Sequence, residues 1–352
     1  MRSRSVFLIL ATLLTLSCSN DDNDGKEDEL TPNEKINNWV YSQMKHHYLW
    51  TEDIPSKGEL DFKQNISNFY SSIKSDKDRF SYYENNLNYN GSLDVKNYAM
   101  WQGWQNFSWH YSPVFCQDDM FPRHKMPKAS SMQYSIMHVG NKVVGYILYY
   151  GFRDTNELAP ALQEFKENNV THIILDLRYN GGGQLNTAIF LSSCIIPDNM
   201  RGTDAQYLVY NEQVTLERYG IPDGHETYKY FTADQMRQCD LNITHAYFLV
   251  SRGTASASES TIGMVRPYIP TTIIGQKTTG KGVGMYDLSD NDYPYTLVPI
   301  TFRYYNAKWE TIPDEGITPD VEMEKVYPDR TEYLGNPDEP LLAKALELIA
   351  AE

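Results

Sequence analysis

The chain has 352 residues, 41% of them hydrophobic, enough for one large domain or two modest ones without metal or disulfide staples. Its formal net charge of −15, with no basic stripe, excludes a phosphate-backbone binder, which needs clustered Lys and Arg. Tyrosine is abundant at 27 residues, and rings with a polar tip suit extended peptide or sugar ligands as well as half-buried packing positions.

In chain order, the first residues read as an export signal rather than as fold. Arg2 and Arg4 form a positive start, and Val6 to Leu16 form an apolar run too short to span a bilayer comfortably. The run closes on Thr15-Leu16-Ser17-Cys18 and resembles a lipoprotein signal, with residues 1–17 removed and Cys18 lipidated. Leu16 stands one place late for that pattern, and an ordinary cleaved signal is the alternative. Residues 18–30 are a polar, acidic tether of the kind a lipid-hung chain needs. Ser19 after the cysteine resembles lipoproteins sent to the outer membrane, so the expected place is the cell envelope, on the periplasmic or surface face. Membrane contact is then through Cys18. Cys116, Cys194 and Cys239 are left, an odd number whose spacings match no zinc pattern. Cys194 lies in an apolar helix and reads as a small buried hydrophobe.

Residues 33–49 carry Ile36, Val40, Met44 and Tyr48 at helical spacing, with Thr31-Pro32 as a start signal. A second helix is expected over 63–74, giving a small helical region over 31–84. Residues 85–140 show little periodicity and read as an irregular linker or lid. From 141 to 330 the pattern becomes that of an α/β domain: strands at 143–150, 171–177, 246–250 and 271–274, helices at 156–169, 184–196 and 257–266. A helical tail, 331–352, closes the chain. In such a sheet, ligands bind where loops converge beyond the strand ends.

Three of those loops have unusual sequences. Asp176 to Gly183 ends in Gly181-Gly182-Gly183 ahead of a helix, which exposes backbone N–H groups for a phosphate, for an oxyanion, or simply for a tight turn. Gly253 to Glu259 places Ser256 among small residues on a strand-to-helix turn; Ser258 reads as a helix cap, and Glu259 as favourable to the helix dipole. Gly275 to Gly282 contains Gly-x-x-x-x-Gly-Lys, most of a phosphate-binding loop. However, Gly282 replaces the Ser or Thr that would hold Mg²⁺, and residues 283–287 do not read as a helix. The better pairing is Ser256 with Lys281: a serine hydroxyl needs a base, and a lysine freed of its proton by desolvation can be one. Lys277 would push the same way if close.

Together these loops resemble the C-terminal processing, or tail-specific, protease family. Its pattern Asp-Leu-Arg-x-Asn-x-Gly-Gly, then Ser-Ala-Ser-Ala-Ser-Glu, then Gly-Lys-Gly falls on Asp176 to Gly183, Thr254 to Glu259 and Gly280 to Gly282. Trp39-Val40-Tyr41, Tyr48-Leu49-Trp50 and Asp78 to Tyr82 resemble the helical segment of exported members, and Gly316-Ile317-Thr318-Pro319-Asp320 resembles the family's closing motif. The resemblance implies a ClpP/crotonase-like catalytic domain, Ser256 as nucleophile, Lys281 as base, and an oxyanion hole from the N–H groups of Gly182 and Ala257. It implies a protein or peptide substrate and no metal or cofactor.

Two departures stand out. The stretch between Tyr83 and Gly140 is too short for the PDZ domain that members usually carry and lacks its carboxylate-binding loop. Met285 replaces a Gln that many members place four residues after the lysine. The rival reading is therefore a weak or inactive lipid-anchored peptide-binding module on the same fold; a hydrolase of non-peptide esters or amides is a third. His46-His47 reads as surface or packing.

Overall fold

A computed structural model describes residues 29–86, 132–236, 239–328 and 334–352. The chain opens with α1 (Pro32–His47). The Thr31 hydroxyl accepts from Glu34 N, the Glu34 carboxylate accepts from Thr31 N, and Pro32 fills the first turn. α2 (Ile66–Ser72) is shorter than the periodicity over 63–74 suggests, because Asn65 accepts from Asn68 N and caps it. A short strand, β1 (Tyr82–Asn85), follows.

The remaining elements are β2 (Met132–Val139), β3 (Lys142–Tyr149), α3 (Thr155–Glu167), β4 (His172–Asp176), α4 (Leu185–Ile195), β5 (Asp204–Tyr210), α5 (Glu212–Tyr219), β6 (Glu226–Lys229) and α6 (Ala233–Met236). After them come β7 (His245–Val250), α7 (Ala257–Val265), β8 (Thr271–Gly275), β9 (Val283–Met285), β10 (Leu288–Ser289), β11 (Tyr295–Val298), β12 (Ile300–Asn306), β13 (Val321–Glu322) and α8 (Pro340–Ala351). The expected strands and helices of the α/β part are all present, their ends moved by a residue or two.

The central sheet has the order β13-β8-β7-β4-β3-β2. Its first five strands are parallel and β2 runs antiparallel along one edge. The apolar runs are continuous because both faces are covered. Ile173, Leu175, Phe248 and Ile273 face α3, α4 and α7, while Tyr146, Ile174, Leu249 and Ile274 face α8. One expectation is corrected here. Residues 132–139, read as the end of an irregular stretch, form β2, registered against β3 over its whole length. The final helix packs on the sheet through Leu341, Leu342, Ala345 and Ile349, all buried. In the loop after β4, Arg178, fully buried, bonds Asp176 on one side and Glu339 at the start of α8 on the other. The rest of the expected linker or lid lies outside the described residues, as do Cys18, Cys116 and the signal and most of the tether.

There are two further sheets, one of order β6-β5-β12-β9 and a small one of order β1-β11-β10. The helical N-terminal region is joined to both. β1 pairs with β11, and Trp39, Met44, Phe69 and Phe80 share a core with Val283, Leu297 and Ile300. His46 packs outward against Gln213 and Glu217, the packing role expected of it. Among the described residues no helix is long and apolar enough to cross a membrane.

Candidate active site

The three singled-out loops leave the carboxyl ends of β4, β7 and β8 and meet there. Their small hydroxyl residues explain how they are held. Thr254 Oγ1 donates to Leu177 O at 2.8 Å, Ser251 Oγ to Arg178 O at 2.6 Å, and Ser258 Oγ to Asn180 O at 2.9 Å. The third loop joins through Thr279, whose N–H donates to Thr254 O at 3.0 Å. Ser258 is therefore a staple between loops and not the helix cap it resembles in sequence.

The cap position of α7 belongs to Ser256, at φ 57° and ψ −118°. A non-glycine residue held there stores about 1–3 kcal/mol of backbone strain, a feature concentrated at functional sites. The turn leaves Ser256 half-buried while its neighbours Ala255 and Ala257 are buried. Gly182 packs against this turn: a Cβ on it would lie 2.8 Å from Ser256 Cβ and 3.0 Å from Ala257 N. At φ 110°, it tolerates no side chain on either ground. Ala257 opens α7, so its N–H has no partner within the helix. The Gly182 N–H donates to Asn180 Oδ1 at 2.9 Å, and Asn180 Nδ2 donates in turn to Tyr149 O. The two proposed oxyanion donors are thus adjacent, one of them already engaged within the protein.

Glu259 organises the site. Its carboxylate is fully buried and accepts four hydrogen bonds: from Thr278 Oγ1 at 2.5 Å and Gly280 N at 2.8 Å on Oε1, and from Ser256 N and Lys281 N, both at 2.9 Å, on Oε2. One oxygen therefore holds the backbones of both residues singled out from the sequence. Burial holds the Glu259 carboxyl above its usual range, although the four donors oppose that shift. Three of the four partners are backbone N–H groups, which can only donate. The sequence reading gave Glu259 only a helix-dipole role.

Lys281 is buried, with 6% of its surface exposed. Burial pushes its pKa from the usual 10.5 down to about 8, opposed by the nearby carboxylates of Glu259 and Asp78. Lys277 does not contribute: it is exposed and not among the charges acting on Lys281. Tyr304, on β12, donates its hydroxyl to Lys281 O. The loop before Lys281 turns at Gly280, where a Cβ would meet Asp314 O at 2.2 Å. After it comes the strand β9, so the loop does not open onto a helix as a phosphate-binding loop does.

Residues 143–323 match the family model "Peptidase family S41", and residues 35–82 match "Peptidase S41 N-terminal domain". The chain belongs to peptidase family S41. A carboxyl-terminal-processing protease of Synechocystis is 31% identical over 186 residues, covering 52% of this chain and 38% of that protein. The chloroplastic carboxyl-terminal-processing peptidase 2 of Arabidopsis thaliana is 27% identical over 205 residues, covering 57% of this chain and 36% of that one. The matched part thus spans less than two fifths of these S41 relatives. In fold, the chain is similar to an S41-protease candidate from Bacteroides fragilis, with TM-score 0.67, 20% identity, and coverage of 89% of this chain and 97% of the other. The α/β architecture and the small helical N-terminal region expected from the sequence are those of this S41 fold.

The sequence reading missed Glu259 as a hub, Tyr304, and the Asp78 carboxylate. For Glu259 the signal was available: a carboxylate three residues after a cap serine, in an apolar helix, must find donors. Nothing local marks Tyr304 among 27 tyrosines. Cys194 is buried and free, as expected of a small hydrophobe, and Cys239 is likewise free. Among the described residues no cluster of His, Cys, Asp or Glu could hold a metal.

Proposed function

We propose that the chain is a serine peptidase acting through Ser256 and Lys281. The observation that carries this reading is the single Glu259 oxygen that fixes the backbones of both residues, beside a strained Ser256 turn. Neutral Lys281 takes the Ser256 proton as Oγ bonds to the peptide carbonyl carbon, and the carbonyl oxygen becomes an oxyanion. The Lys281 ammonium then gives its proton to the leaving amine as the C–N bond breaks. The same lysine, neutral again, takes a proton from water as the water oxygen bonds to the acyl carbon; the Ser256 Oγ–acyl bond then breaks and the lysine gives that proton to Oγ. Ala257 N–H is the oxyanion donor at rest; Gly182 N–H joins it once it turns from Asn180, each worth roughly 3–4 kcal/mol.

The substrate class is protein or peptide. Attachment to a membrane through lipidated Cys18, a place in the cell envelope and selection without a PDZ domain complete the proposal. The test is hydrolysis of a pool of unfolded proteins by the full chain, by Ser256→Ala and by Lys281→Ala. Loss of turnover in both variants, with folding intact, supports the dyad. A wild-type chain that binds peptides and cleaves none would replace it with the binding-module reading.

A further inference from the structure

One wall of the Lys281 pocket comes from outside the catalytic loops. Lys281 Nζ lies over the ring of Phe80, 5.4 Å from its centroid. Phe80 is buried and belongs to the loop between α2 and β1, some 200 residues earlier in the chain and inside the N-terminal family region. That loop is held on both sides. Asp78 Oδ1 accepts from Phe80 N and Ser81 N at 2.9 and 2.8 Å, while Oδ2 accepts from the buried Tyr48 hydroxyl at 2.7 Å. Arg79 reaches the other way: its guanidinium donates to Thr279 O, Gly280 O and Asp314 O at 2.9, 3.1 and 3.0 Å, gripping the backbone just before Lys281. Ser81 Oγ accepts from Ile300 N at 2.8 Å, fixing the loop to β12.

We propose that Phe80, seated by Asp78 and Arg79, is a positioning residue for Lys281, and that its ring face receives the ammonium that forms when Lys281 takes the Ser256 proton. The proposal deepens the Ser256–Lys281 reading and rests on it. It gives the helical N-terminal region a part in the chemistry and supplies an orienting group on a different element from Met285, which packs instead with the N-terminal core. An aromatic face attracts a desolvated cation and does little for the neutral amine, so the gain falls on the protonated species that follows proton transfer. The charged or titratable groups around Lys281 are Glu259 from α7, Asp78 and Arg79 from the Phe80 loop, and Tyr304 from β12. Arg79 turns its Nη2 to three carbonyls and is not among the charges acting on Lys281, and Tyr304 meets the Lys281 carbonyl.

The test follows Lys281 directly. The full chain carries ¹⁵N at its lysine amines, and the Lys281 signal is assigned by its loss in Lys281→Met. Phe80→Leu should lower the Lys281 titration midpoint by roughly half a unit or more and, above about pH 9 where Lys281 rests neutral, reduce kcat on casein roughly 3- to 30-fold, leaving KM unchanged. Phe80→Tyr, which keeps the ring face, should restore both. A folded Phe80→Leu protein with an unmoved midpoint would overturn the proposal. If Phe80→Leu does not fold, pentafluorophenylalanine at position 80 keeps the shape and reverses the charge of the face; an unmoved midpoint there overturns it equally. Should the wild type leave casein uncut, the peptidase reading fails, and the midpoint still decides whether Phe80 positions Lys281.

Discussion

Replacing Glu259 with Gln removes one charge and almost no volume, yet it should disable the site. The carboxylate faces four donors, two on each oxygen, and an amide offers one oxygen and one NH₂. With the amide oxygen kept toward Ser256 N and Lys281 N, the NH₂ confronts Thr278, whose hydroxyl can rotate to accept, and Gly280 N–H, which cannot. One buried N–H left unmatched costs about 1–3 kcal/mol, and the surviving bonds fall from charge-assisted to neutral strength, roughly 1 kcal/mol each. Relief from burying a charge offsets part of this, leaving a net loss of about 3 kcal/mol. The opposite amide orientation orphans two N–H groups and is worse. Urea unfolding of Glu259→Gln beside wild type reads the stability. In activity, the loss of a shared anchor lets Ser256 and Lys281 drift, and a misplacement of about 1 Å costs on the order of 100-fold. The variant also removes a negative charge that supports the Lys281 ammonium, so whatever turnover remains should have its acid limb at lower pH than wild type. A Glu259→Gln protein with wild-type stability and turnover would refute the claim that this carboxylate builds the site.

Other outcomes follow from the same structure. Ser256→Gly should be more stable than Ser256→Ala by about 1–2 kcal/mol, because glycine accepts φ 57° without strain; chemical denaturation of the two inactive variants compares them. Lys281 has a native pKa of about 8 against 10.5. The unfolded chain therefore binds more protons between those values, and the cost of burying the amine is fully present below about pH 8 and gone above about 10.5. Lys281→Met should consequently be more stable than wild type by up to about 3 kcal/mol at pH 7, with the gap closing toward pH 10.5, as measured by urea unfolding across that range. Arg178→Met leaves Asp176 and Glu339 buried without their partner and should cost about 3–5 kcal/mol in the same assay, with release of α8 seen as faster amide exchange in residues 340–351.

Much of the site was legible because its loops are built from residues with narrow physical uses. Glycines at 182 and 280 stand where backbone packs on backbone, and the small residues around Ser256 permit a sharp turn. The parallel strands announced themselves through unbroken apolar runs such as Ile173-Ile174-Leu175, which require cover on both faces. What stayed hidden depends on distant partners. The pairing of Arg178 with Glu339 spans 161 residues and leaves no local pattern. Phe80 stood in a motif that read only as family resemblance, since nothing in Asp78 to Tyr82 tells that its ring faces a lysine from another region. β2 escaped because Ile136 and Met137 break its alternation and several of its residues are exposed, so an edge strand looked like an irregular stretch.

The central claim is that Ser256 becomes a nucleophile because Lys281 takes its proton. The most direct measurement is the pH dependence of Ser256 acylation by a small β-lactone, followed by intact mass and by mapping the modified peptide. The account requires one adduct, on Ser256, at a rate that rises through a midpoint near pH 8 and is nearly abolished in Lys281→Met. Acylation elsewhere, or acylation of Ser256 at an undiminished rate without Lys281, would contradict it.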